Sequence, residues 1–96
     1  MSDFDFIWDI NKNLKNIASH GIAFDEAKTV FYDPNAMIIY DPDHSEDEDR
    51  FIILGLSKRL NLLVVCHCYR EGNSIVRIIS ARKATLSERK QYGGKR

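Results

Sequence analysis

Long apolar runs are missing from this sequence, and none approaches the ~18 consecutive apolar residues that suggest a membrane-spanning helix. Nor does the N-terminus show a basic region followed by an apolar stretch and a small-residue cleavage site, so we expect a cytoplasmic protein without a membrane partner. Cysteine is scarce. Cys66 and Cys68 sit two apart on one predicted strand, too close for a comfortable bridge, and read as reduced core thiols. There is no Gly-rich phosphate loop, paired-carboxylate site or nucleophile elbow, since Gly55-Leu56-Ser57 stands without matching context. Conventional metabolic chemistry finds no foothold, and no cofactor is expected.

Net charge is absent too, but its zero conceals a division. Residues 1–49 hold twelve Asp or Glu against three Lys, a balance of −9, whereas residues 50–96 hold two Glu against eleven Lys or Arg, a balance of +9. Such asymmetry points to an anionic partner for the second half, or else to two halves that mainly neutralise each other. What is present suffices for one modest core: 96 residues with 44% hydrophobic content suit a single domain, assigned here to residues 1–92.

The second half centres on Ser74 to Tyr92, an apolar strand carrying arginines that runs into a basic helix. Ile75, Val76, Ile78 and Ile79 are β-branched and follow the polar turn Glu71-Gly72-Asn73. Arg77 interrupts the run, and an unpaired buried guanidinium is costly, so it needs a partner, solvent or an anionic ligand. Thr85 and Glu88 have capping-box spacing, which starts a short helix at Leu86. That helix ends at Tyr92 before Gly93-Gly94, leaving residues 93–96 as a mobile tail.

Earlier in the chain, Phe4 to Trp8 alternates as a first strand and Asp9 is a helix N-cap. Ile10, Leu14, Ile17 and Ala18 then recur at helical spacing, with His20 in the last turn and Gly21 suited to a left-handed C′ position. Phe24, Ala27, Val30 and Phe31 form a second stripe that Asp33-Pro34 closes. Met37 to Tyr40 is a strand, and the acidic residues of 41–49 predict a solvated loop. Arg50 to Leu56, Leu62 to Arg70 and the strand after Gly72 make an antiparallel meander. The class is α+β: a mostly antiparallel sheet, an N-terminal helix hairpin covering one face, a short C-terminal helix, and the other face available.

Two metal readings fail on spacing. Asp41, Asp43 and Ser45 begin like a calcium loop, but Glu46 stands where glycine is required and Ile52 where the closing glutamate belongs. In Cys66-His67-Cys68 the histidine points to the opposite face from both sulfurs and cannot join them in a tetrahedral site. His67 lies opposite Arg77 if the intervening turn has three residues, whereas a two-residue turn places Arg77 opposite Cys68; the sequence leaves both open. What remains is a sheet face with Arg50, Arg70, Arg77, Arg82 and, in one register, His67, bordered by Lys58, Arg59 and Tyr92. Guanidiniums bind phosphate bidentately, aromatics stack on bases and imidazole moves protons near neutral pH, a set suited to binding RNA and cleaving it.

Six motifs in order resemble the BrnT toxin family of bacterial type II toxin–antitoxin systems: Trp8-Asp9 with Asn11-Lys12; His20-Gly21-Ile22 with Phe24 to Ala27; Val30 to Pro34; Glu48 to Arg50 before Gly55; Arg77 to Arg82; and Glu88-Arg89 before Tyr92. The resemblance implies a RelE-like fold and a metal-independent endoribonuclease that arrests translation by 2′-hydroxyl attack, leaving a 2′,3′-cyclic phosphate. It also implies neutralisation by a BrnA-type antitoxin, with DNA reached only through that partner. Carried over residue by residue, it implies catalytic roles for Arg82 and Tyr92 and, on a weaker match, Arg70. His67 stands in Val65 to Cys68, where this sequence departs from the family pattern. The expected site is therefore Arg82, Arg70, His67 and Tyr92 for catalysis, with Arg50, Lys58, Arg59, Arg77 and Arg89 binding RNA. The competing reading is a non-catalytic module whose basic face holds an antitoxin-like, DNA-binding partner.

Overall fold

The computed structural model describes residues 5–93. Phe4, expected to open the first strand, and residues 94–96 of the expected tail lie outside them. Strands β1 (Asp5–Ile7), β2 (Met37–Tyr40), β3 (Phe51–Leu56), β4 (Leu62–Arg70) and β5 (Ile75–Lys83) form one sheet in the order β1-β5-β4-β3-β2. The meander β3-β4-β5 and the β2–β3 pair are antiparallel as expected, while β1 adds to the far edge parallel to β5. The β4–β5 turn runs through Glu71, Gly72 and Asn73 at φ of 52°, 63° and 73°, a left-handed stretch that glycine and asparagine tolerate.

One sheet face is covered by helix α2 (Phe24–Ala27) and the 3₁₀ segment Lys28–Tyr32 that continues it. Phe24, Ala27 and Val30 are fully buried against Ile53, Val65, Val76 and Ile78, so the second apolar stripe forms the core as expected. Glu26 ties this layer to the β3–β4 turn, its carboxylate accepting Ser57 Oγ at 2.6 Å and Asn61 Nδ2 at 2.7 Å.

Helix α1 (Ile10–His20) has both expected ends: Asp9 Oδ1 accepts the Lys12 N–H at 3.0 Å, and Gly21 is left-handed at φ 73°. Its expected packing is corrected. Ile10, Leu14, Ile17 and Ala18 are exposed, and the buried side chain is Asn16. Beyond the three residues of β5 that pair with β1, Asn16 donates to the Ala81 carbonyl at 2.8 Å and accepts the Ala81 N–H at 3.1 Å. It also donates to the Ile22 carbonyl at 2.8 Å, while Asn13 accepts the Phe24 N–H at 2.8 Å. The helix is latched to the sheet by amides, because an open strand edge needs hydrogen-bond partners that isoleucine cannot supply.

Helix α3 (Leu86–Gln91) begins at Thr85 with the full capping box. It packs on the second sheet face, where Tyr92 and Ala84 sit against Leu54, Leu62 and Val64. The second face is thus partly covered at that end, and the available surface narrows to a groove.

Candidate active site

A bulge decides which side chains share the second face. Arg77 and Arg82 are five residues apart, and strict alternation would place them on opposite faces. The pairing runs Cys66 with Ser80 but His67 with Ile78, which leaves Ile79 as the extra residue of β5 and resets the alternation. Ile78 and Ala81 then point into the core, while Ser80 and Arg82 join Arg77 on the second face.

There, a groove of about 210 Å³ is lined by Asp41, His44, Arg50, Cys66, Ile79, Ser80 and Arg82, among others. Its volume falls short of the roughly 300 Å³ at the lower end of small-molecule pockets. His44 Nδ1 lies 2.8 Å from Asp41 Oδ2, and Asp41 is buried while His44 is two-thirds exposed. The carboxylate therefore fixes the Nδ1–H tautomer and turns Nε2 outward. The loop carrying the pair is pinned: Asp41 N–H donates to the Arg50 carbonyl at 2.9 Å, and Arg50 N–H donates to Ser45 Oγ at 2.9 Å. The acidic loop is exposed at most positions, as expected, but it turns inward at Asp41, which is buried, and at Ser45 and Glu48, which are half-buried.

Glu48 takes part in this folding, its Oε1 lying 3.1 Å from Arg70 and its Oε2 only 3.8 Å from Arg50. Arg50 Nε is buried and has no hydrogen-bond partner among the described residues. With its Nη2 beyond hydrogen-bond distance of Glu48, Arg50 is loosely held at its terminal end. Arg82 is engaged differently: both terminal nitrogens meet Glu88, at 2.8 and 2.9 Å, so this guanidinium fork is occupied by a carboxylate. That contact raises the Arg82 pKa and drives Glu88 down to about 2, against the opposing effect of desolvation.

The remaining expected residues are dispersed. His67 is fully buried on the core face, between Phe31 and Phe51, with Nε2 3.1 Å from Tyr69 Oη; desolvation lowers its pKa to about 4. The β4–β5 turn has four residues, and Arg77 faces Cys68, so His67 lies apart from the basic face. Tyr92 donates to Asp33 Oδ2 at 2.5 Å, and desolvation with that bond pushes its phenol up to about 12. Lys58 and Arg59 line a separate depression beside α2 with Asp25 and Glu26. Arg89 is exposed on α3. The structure gathers Arg50, Arg70, Arg77 and Arg82 on one face and adds a pair that sequence reasoning missed, Asp41 and His44. Their three-residue separation was the available signal, hidden in a loop read only for its charge.

By fold the chain is similar to a known class, the ribonuclease toxins. It matches the crystal structure of the Brucella abortus ribonuclease toxin, BrnT, with a TM-score of 0.64 and 24% identity over 88% of this chain and 100% of that one. The family model described as the ribonuclease toxin, BrnT, of type II toxin–antitoxin systems matches residues 8–88, and the chain belongs to this family. No curated protein matches the sequence significantly.

Proposed function

We propose that this chain is an endoribonuclease toxin that uses the second-face groove to cleave RNA through its own 2′-hydroxyl, without a metal. The observation that carries this reading is the Asp41–His44 pair opening on the same groove as Arg50 and Arg82. His44 Nε2 takes the 2′-hydroxyl proton as the 2′-oxygen bonds to phosphorus. Arg50, whose side chain lines the groove with its nearest carboxylate 3.8 Å away, meets the phosphate through its terminal nitrogens and stabilises the charge that grows on its oxygens. The P–O5′ bond breaks, the 5′-oxygen takes a proton from water, and a 2′,3′-cyclic phosphate remains. Arg82 contributes its charge to the groove wall and, through Glu88, holds α3 in place. Arg70 and Arg77 supply charge along the same face; Tyr92 and His67 serve the scaffold. Cleavage of messenger RNA by such a site arrests translation, and a BrnA-type antitoxin neutralises it by covering the groove, with DNA contacted only through that partner.

Purified protein incubated with single-stranded RNA in EDTA tests this. We expect cyclic-phosphate ends, a loss of about 100-fold or more in rate for His44→Gln and Arg50→Ala, and melting temperatures near wild type. Full cleavage by His44→Gln would remove the imidazole from the mechanism. Binding of RNA without any cleavage by the wild type would favour the non-catalytic module.

A further inference from the structure

Helix α1 presents a second depression on the groove's flank, of about 190 Å³, lined by Lys12, Lys15, Asn16, Ser19, His20 and Ile79. Ile79 lines the groove as well, so the bulge residue of β5 is the common wall of the two concavities. Lys12, Lys15 and Ser19 follow i, i+3, i+7 spacing, which stacks them along one stripe of the helix. The half of the chain that carries a balance of −9 has three lysines, and two of them meet here. Neither makes an ion pair among the described residues; the ion pairs involve Lys28, His44, Arg50, Arg70 and Arg82 instead. Two like charges three residues apart repel along a helix, a cost that a phosphate between them would offset.

Attachment makes this arrangement more than a charged surface. Asn16, between the lysines and the sheet, both donates to and accepts from Ala81. Ala81 lies between Ser80 and Arg82, two residues of the groove wall. The lysine stripe is therefore held in fixed register with the groove by the same amide that seals the β5 edge.

We propose that a single-stranded RNA seated in the groove continues over Ile79 onto the Lys12–Lys15 stripe, which binds the phosphates flanking the cleaved one. This rests on the reading of the groove as an RNA site. Ile79, half-buried and apolar, suits the face of a ribose or base between two phosphate contacts. The occupant is nucleic acid rather than an acidic protein segment, because the stripe is continuous with a groove whose cations and imidazole suit a phosphodiester.

The test uses the full chain and a 5′-labelled single-stranded RNA, together with its 2′-O-methyl form, which lacks the attacking hydroxyl. For K12A/K15A we expect affinity for the 2′-O-methyl RNA to fall about tenfold, and the slope of log affinity against log salt to shrink by about 1.4, two single-strand phosphate contacts at ~0.7 each. In cleavage, KM should rise far more than kcat falls, and K12R/K15R should restore both affinity and slope. RNAs trimmed until they reach only the groove should no longer distinguish the double variant from wild type. Unchanged affinity and slope in K12A/K15A, with His44→Gln still abolishing cleavage, would overturn this inference alone. If those substitutions weaken only antitoxin binding, the stripe is a protein surface and the inference falls. A wild type that neither binds nor cleaves RNA overturns it together with the reading of the groove.

Discussion

Arg82 and Glu88 form a two-pronged ion pair, Nη1 to Oε1 at 2.8 Å and Nη2 to Oε2 at 2.9 Å. Oε1 also accepts the Thr85 N–H at 2.8 Å, so one glutamate both caps α3 and binds it to β5. These bonds favour the ionised carboxylate and hold its pKa at about 2, with the Arg82 hydrogen bonds foremost. A folded pKa below the unfolded value of about 4.3 means that the stabilisation is fully present above that value and is lost as pH falls through about 2. The pair is partly exposed, so screening limits it to about 1 kcal/mol. We expect Glu88→Gln to lower the melting temperature at neutral pH and to flatten its fall below about pH 4.3. Parallel pH profiles for the two proteins would remove Glu88 as the titrating group.

His67 should act in a higher window. Its imidazole is fully buried among Phe31, Phe51 and Tyr69, and its pKa lies near 4. An unfolded histidine binds a proton below about pH 6.5, so between there and about 4 the unfolded state holds more protons and stability falls as pH falls. The slope is at most about 1.4 kcal/mol per pH unit. In urea unfolding titrations His67→Phe should lose that slope. A slope retained in the variant would assign the acid sensitivity elsewhere.

The sequence revealed elements better than faces. Capping and turn residues act locally, so Asp9, Gly21, Thr85 with Glu88, and the Glu71 to Asn73 turn could be placed without tertiary knowledge. The stripe of α1 misled because periodicity records where apolar residues lie and not what covers them; the sheet edge at Ala81 required asparagine. The bulge at Ile79 has no marker in a β-branched run, yet it determines that Arg77 and Arg82 share a face. His44 was hidden because its partner Asp41 sits in a run of like charges, and only the folded loop distinguishes the buried carboxylate from the solvated ones.

Gly55 is a packing glycine. A Cβ built there would lie 3.1 Å from Ala36 Cβ, 3.2 Å from Val30 Cβ and 3.2 Å from the Val30 carbonyl. The carbonyl belongs to the 3₁₀ segment, which cannot yield without moving off β3. Gly55→Ala should therefore destabilise by about 1–3 kcal/mol, the usual cost of overpacking. Chemical denaturation decides it, and a wild-type midpoint would show that the segment relaxes freely.

The attachment of α1 makes two opposed predictions within one helix. Leu14 is 58% exposed, so Leu14→Asp, which a packed amphipathic helix would not tolerate, should cost less than about 1 kcal/mol, most of it helix propensity. Asn16 is 6% exposed and makes three hydrogen bonds to backbone groups of Ile22 and Ala81. Asn16→Ala leaves those groups without their partner at roughly 1–3 kcal/mol for each that water cannot reach, and should cost on the order of 3 kcal/mol in all. Asn16→Leu adds apolar surface but restores no hydrogen bond, so it should be no better than alanine if the amide latch, rather than burial, holds the helix. Urea midpoints for the three variants decide between the two. If Leu14→Asp destabilises more than Asn16→Ala, the apolar stripe packs after all and the latch is secondary.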